Sequence, residues 1–223
     1  MAGEKSDKKA YHHGDLRRAL LDATLGLAAD RGAGGVTLRE AARVAHVSRS
    51  APYRHFVDKQ AMLAAASEEG FRLQLRQLQD AIARSENDAR AKLLTFGVTY
   101  VRFALEHSSH FRLMYGHGSP PKSATPELQR AAEEVFQLFS QSLADYLSKD
   151  FRERAVKETM FRLWALVHGI ATLALEKQIL FDIGTQALIA ATRGALAIEL
   201  DASRSAESFA RSVSRPAKRQ SRA

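Results

Sequence analysis

Val36–Phe56, VTLREAARVAHVSRSAPYRHF, is the stretch on which the fold turns. Thr37-Leu-Arg-Glu40 fits a capping box, in which the threonine hydroxyl accepts from a free amide of a helix and the glutamate reaches back to the cap. Only about eight residues follow before Ser48, a second candidate N-cap, so two short helices are expected with a break at His46, Val47 and Ser48. Neither is long enough to be stable without packing on a neighbour. Leu38, Ala41, Ala42, Val44 and Val47 supply apolar packing between them, and the two alanines permit close approach. Outside that packing lie Arg49, Ser50, Tyr53, Arg54 and His55, side chains suited to phosphates and base edges. No acidic residue occurs between Glu40 and Asp58, as a surface facing a polyanion requires. Phe56 falls on the apolar side and is expected in the core, unlike Tyr53.

Working outward, helical periodicity continues from Asp15 to Leu200, and no alternating run is long enough for a sheet. Leu16, Leu20, Ala23 and Leu27 line one face of a first helix, which Gly32, Gly34 and Gly35 end. Asp58 caps a long helix from Lys59 to about residue 84. Further helices are expected near 89–107, 110–115, 127–149, 153–178 and 182–200, with residues 116–126 (GHGSPPKSATP) a loop. The expected organisation is all-α. A disordered basic segment 1–12 precedes a helix-turn-helix domain 13–73, a helical domain 74–202 follows, and a disordered basic tail 203–223 closes the chain.

Charge supports that division. Residues 1–59 carry a net +4, residues 60–203 a net −1, and residues 204–223 a net +5. A basic head on a near-neutral body suggests a module for a polyanion attached to something that is not one. The tail, with Arg211, Arg215, Lys218, Arg219 and Arg222, is either a solvated end or an added non-specific contact. With no cysteine, disulfides, Cys-ligated zinc and thiol catalysis are excluded. The longest nearly apolar run, Leu163–Leu175, is 13 residues and too short to span a bilayer. The first residues show no apolar leader region, so a cytoplasmic chain is expected, without membrane association.

These residues carry a resemblance. Thr37-Leu38-Arg39-Glu40-Ala41-Ala42, Val47-Ser48-Arg49 and Tyr53-Arg54-His55-Phe56, followed by Asp58-Lys59, resemble the DNA-binding domain of the TetR family of bacterial transcriptional repressors. Trp164-Ala-Leu-Val-His168-Gly169 resembles the Trp-His-Gly signature of one C-terminal subtype of that family. The resemblance implies about nine helices, three for DNA binding and the rest for effector binding and dimerisation. It implies a homodimer on a palindromic operator, with recognition helices about 34–36 Å apart and release by a small apolar or aromatic effector. By position, Thr37, Arg49, Ser50, Ala51, Tyr53, Arg54, His55 and Lys59 are implied DNA contacts. The turn position often filled by Gly in the family is His46 here, and Pro52 removes one amide from the recognition helix.

In the second half, Phe96, Tyr100, Phe103, Met114, Tyr115, Phe139, Trp164 and His168 are the candidate effector-pocket residues. Trp164 and His168 share a helix face; they are either a packed aromatic with a hydrogen-bonded core histidine or part of a pocket or dimer seam. Gly169, Ala171, Leu175, Leu188 and Gly194 are the candidate seam, where small residues allow close helix contact. His107, His110 and His117 lack a carboxylate to complete a metal set and are expected to be solvated. No nucleophile elbow, GxGxxG, P-loop or HExxH occurs, so no enzyme, cofactor or metal is expected. An activator, or a non-specific DNA-binding protein, remains the alternative to a repressor.

Overall fold

The computed structural model describes residues 13–150 and 152–213; the expected basic segment 1–12 and the end of the tail, 214–223, lie outside the described residues. The described residues form eight α-helices and no strand. They are α1 (His13–Arg31), α2 (Leu38–Val44), α3 (Lys59–Ala83), α4 (Ala89–Glu106), α5 (Ser108–Tyr115), α6 (Pro126–Leu147), α7 (Arg154–Leu175) and α8 (Thr185–Val213). Contacts divide the chain into two units, residues 1–72 with 108–132, and residues 73–107 with 133–223. The segment 108–132 therefore packs with the N-terminal unit, although it follows α4 in sequence.

In the first unit, Leu20, Leu21, Ala23, Leu27 and Ala28 of α1 form the centre of a core with Val36, Leu38, Ala41, Phe56, Met62, Leu63 and Leu113. α2 buries Leu38, Ala41 and Ala42, and its C-cap Ala45 continues that stripe at helical spacing. Val44, expected in that packing, lies off the stripe and is 38% exposed. Half of the capping box forms. Thr37 Oγ1 accepts from the Glu40 amide at 3.1 Å, while the Glu40 carboxylate takes Arg43 at 3.0 Å instead of reaching back. His46 occupies the left-handed region at φ 55°, which bends the chain sharply out of α2.

The second short helix departs from expectation. After the bend the chain forms only a single 3-10 turn, Ala51–Arg54. Pro52 lacks an amide proton, and its own carbonyl accepts from both His55 N at 3.0 Å and Phe56 N at 2.9 Å, closing the turn. Asp58 Oδ1 then accepts from Ala61 N at 2.8 Å and starts α3.

In the second unit, α4 packs on α7 and α8, burying Leu93, Phe96, Tyr100 and Phe103 of α4 with Leu163, Val167 and Leu196. α8 runs to Val213, past the disorder expected from residue 203. The stretch that leads into this extension is anchored from three directions. Arg90 makes a two-pronged pair with Asp201 at 2.8 Å. Arg162 reaches Glu199 at 2.6 Å and Ser203 at 3.2 Å. The Arg204 guanidinium lies 5.4 Å from the Tyr146 ring centroid, and the Tyr146 hydroxyl donates to Leu200 O at 3.1 Å. No described helix is long and apolar enough to cross a membrane.

Candidate nucleic-acid interface

The bend at His46 and the turn at Pro52 decide which side chains face outward. Arg49, Ser50, Tyr53 and Arg54 are exposed, Tyr53 at 56%. They stand on a base whose Ala51, Pro52 and Phe56 are buried. Loops positioned by a rigid scaffold are where binding groups concentrate, and this segment is one. Of the two flanking carboxylates, Glu40 is paired with Arg43, and Asp58 accepts from the Ala61 amide at the start of α3. Among the described residues neither Arg49 nor Arg54 is in an ion pair.

Three of the implied contacts sit differently from expectation. The Ala51 methyl is turned into the unit, at 7% exposure, so it offers no side-chain surface. His55 is half-buried, and its Nε2 is enclosed without a hydrogen-bond partner among the described residues, so that nitrogen faces inward. Lys59 Nζ donates to the Gly34 carbonyl at 2.9 Å, tying the start of α3 to the glycine-rich connection after α1. Thr37 is exposed, and its oxygen is used as the cap of α2.

Sequence reasoning missed Arg17 of α1. It is exposed, and its guanidinium lies 5.7 Å from the centroid of the Phe56 ring. The two residues are 39 apart in sequence, and no local pattern links them.

In the second unit the aromatic set resolves into two groups. Phe96 and Phe139 stack with centroids 4.8 Å apart and, with Trp164, line a cleft completed by Leu93, Gly97, Leu163, Val167, Leu196 and Leu200. Its free volume is about 10 Å³, no more than one water needs. It is closed because a Cβ on Gly97 would meet Leu196 Cδ1 at 2.4 Å, so the backbone of α4 sits directly against α8. One turn beyond the cleft, Tyr100 Oη lies 3.0 Å from His168 Nδ1; burial holds the His168 pKa below its ordinary value. Phe103 is fully buried and does not line the cleft. Met114 and Tyr115 belong to the first unit, where Tyr115 packs edge-on against Phe71 at 5.4 Å, so they do not join this set. A shallower groove of about 610 Å³ lies at the start of α7, but of its cations Arg154 is paired with Glu158 and Arg162 with Glu199.

The expected seam divides likewise. Ala171 and Leu188 are buried at 0% and 8% within the unit and have no surface to offer a partner. Gly169 and Gly194 face open space, with no atom within 4 Å of an added Cβ; Leu175 is half-buried. Phe161, Trp164 and Leu173 are exposed on α7, the helix that carries Gly169, and Ile198 is exposed on α8, the helix that carries Gly194. The histidines serve separate partners: His107 lies 2.8 Å from Gln77 Nε2, His110 lies 3.3 Å from Glu69, and His117 is exposed. Among the described residues no three potential metal ligands cluster.

Comparison with known proteins agrees with this geometry. Residues 20–66 match the family described as bacterial regulatory proteins, tetR family, and residues 93–196 match the tetracyclin repressor-like C-terminal domain. An uncharacterized HTH-type transcriptional regulator from Haemophilus influenzae is 33% identical over 151 residues, 66% of this chain and 69% of that protein. A Rhodococcus sp. RHA1 protein of unknown function is 31% identical, with a TM-score of 0.69 over 85% of this chain and 97% of that one. FadR from Bacillus subtilis, solved in complex with stearoyl-CoA, shares the fold at 13% identity and a TM-score of 0.64, covering 82% of this chain and 97% of its own. The chain belongs to the TetR family. It is a transcriptional regulator with a helix-turn-helix DNA-binding domain, and not an enzyme.

Proposed function

We propose that the chain is a sequence-specific repressor that binds a palindromic operator as a homodimer and is released by a small apolar or aromatic effector. The observation that carries the DNA reading is the set Arg49, Ser50, Tyr53 and Arg54, exposed together between His46 and Phe56, with neither arginine in an ion pair among the described residues. Arginine reads guanine bidentately and also meets phosphate, while serine and tyrosine hydroxyls bond either phosphate or base edges. Thr37 and Lys59 flank this surface as backbone contacts; the Lys59 ammonium keeps donors beyond the one given to Gly34.

The dimer reading is supported by large apolar side chains left exposed on the two helices that carry Gly169 and Gly194, Phe161 and Leu173 on α7 and Ile198 on α8, since such surface is covered when a partner packs on it. The effector reading is supported by the apolar cleft at Phe96, Phe139 and Trp164, which must open to admit a ligand. The fold accommodates stearoyl-CoA in FadR, so an apolar chain is a reasonable occupant. The site of action is the cytoplasm, at the nucleoid.

Sedimentation equilibrium of the purified full-length chain with a duplex selected by it tests this reading. Two chains per duplex are expected, with binding much tighter than to unrelated sequence. One chain per duplex contradicts the dimer, and equal affinity for every sequence with a steep salt slope favours a non-specific binder.

A further inference from the structure

Arg17 and Arg18 are neighbours on α1 with opposite environments. Arg18 Nη1 meets Glu69 Oε1 at 2.8 Å and its other nitrogen meets Asp22, so its charge is neutralised within the unit. Arg17 is exposed, and among the described residues no carboxylate pairs with it. Its guanidinium is held 5.7 Å from the Phe56 ring centroid.

The ring that holds it belongs to the DNA-reading segment. Phe56 is 4% exposed, and its amide donates to Pro52 O at 2.9 Å, so it is fixed to the turn that carries Tyr53 and Arg54. A guanidinium packed on an aromatic face keeps edge N–H donors available for a planar or tetrahedral anion, and stacking reduces the rotamer freedom that binding would otherwise cost. An un-neutralised cation, pre-ordered beside the reading turn, has the chemistry of a phosphodiester contact.

We propose that Arg17 contacts the DNA backbone, anchoring α1 to a phosphate beside the segment read by Arg49, Tyr53 and Arg54. This assignment rests on the DNA interface proposed above. Arg17 adds register and affinity, without base preference, because backbone contacts position the protein and carry no sequence information directly.

The test uses the full chain, a duplex it selects and an unrelated duplex, with affinity followed by fluorescence anisotropy between about 50 and 200 mM salt. Arg17→Gln is expected to weaken binding to both duplexes by a similar factor and to flatten the slope of log K against log salt by about 0.9. Arg17→Lys is expected to retain the slope. Arg17→Met, which keeps an aliphatic cover over Phe56, is expected to behave as Arg17→Gln, with the unfolding midpoint close to that of the parent chain. An unchanged slope in both neutral variants overturns the proposal, leaving Arg17 as packing alone. Arg49→Ala separates the two levels of the argument. If it weakens the selected duplex while the Arg17 variants are silent, only the Arg17 assignment fails; if it too is silent, the interface itself is misplaced.

Discussion

The ammonium of Lys59, the first residue of α3, lies 2.9 Å from the carbonyl oxygen of Gly34, 25 residues earlier. This bond joins the glycine-rich connection after α1 to the helix that follows the turn Ala51–Arg54. Lys59 thus serves the fold and, in the proposed function, the phosphate backbone. Lys59→Ala is expected to weaken binding to all duplexes alike, to reduce the salt slope, and to lower stability by about 1 kcal/mol. Anisotropy titrations and urea unfolding check the two effects separately. Loss of affinity for the selected duplex alone contradicts the backbone assignment.

The proposed seam on α7 and α8 predicts a difference between two arginine substitutions. Gly194 faces open space, so Gly194→Arg is expected to fold and to sediment as a monomer with little affinity for a palindrome. Ala171 is fully buried, so Ala171→Arg is expected to unfold the unit, since it forces an unpaired charge into the core. A Gly194→Arg chain that remains dimeric places the association surface elsewhere.

At Gly97 two effects oppose each other. Replacing glycine by alanine inside a helix gains roughly 0.5–1 kcal/mol of backbone entropy. The new Cβ would stand 2.4 Å from Leu196 Cδ1 and 3.2 Å from Val167 Cγ1, and overpacking of that kind costs about 1–3 kcal/mol. The net expectation for Gly97→Ala is destabilisation by roughly 1–2 kcal/mol, read from urea unfolding. A stabilised variant shows that α4 and α8 can part at low cost, which would favour easy opening of the cleft.

Lys122 provides a pH dependence. Its Nζ lies 5.0 Å from the Phe71 ring centroid and 5.2 Å from that of Tyr115, and it donates to the Met114 carbonyl. Burial pushes its pKa from 10.5 down to about 8. Between those values the unfolded chain binds more protons than the folded one, so this group's contribution to stability rises with pH. The cost of burying its charge is full below pH 8 and is relieved by about pH 10.5. Lys122→Met lacks that relief. The stability of the parent chain relative to Lys122→Met is expected to increase over this interval, measured by chemical unfolding at stepped pH; a flat difference contradicts the assignment.

What the sequence makes legible is local. Thr37, Glu40 and Asp58 mark helix starts, and the Tyr53-Arg54-His55-Phe56 block sits where the turn exposes Tyr53 and buries Phe56. The restriction at Pro52 is also visible in the sequence, though not its result, a 3-10 turn in place of an α-helix. Long-range packing is not legible. Residues 203–213 look like a polar tail by composition, yet Arg90, 111 residues before Asp201, and Arg162, 41 before Ser203, hold the preceding stretch. The ring of Phe56 under Arg17, and the missing Cβ of Gly97 that lets Leu196 close the cleft, likewise depend on partners far along the chain. Periodicity placed Ala171 and Leu188 on apolar helices but did not say which apolar face turns inward.

Selection of the purified full-length chain against a random duplex pool at physiological salt, followed by sequencing, measures the central claim directly. The expected product is a palindrome whose half-sites are centred about one helical turn, or a multiple of it, apart. Enrichment should disappear with Arg49→Ala. Retained binding with no enriched motif would contradict the account and leave the chain a non-specific DNA-binding protein.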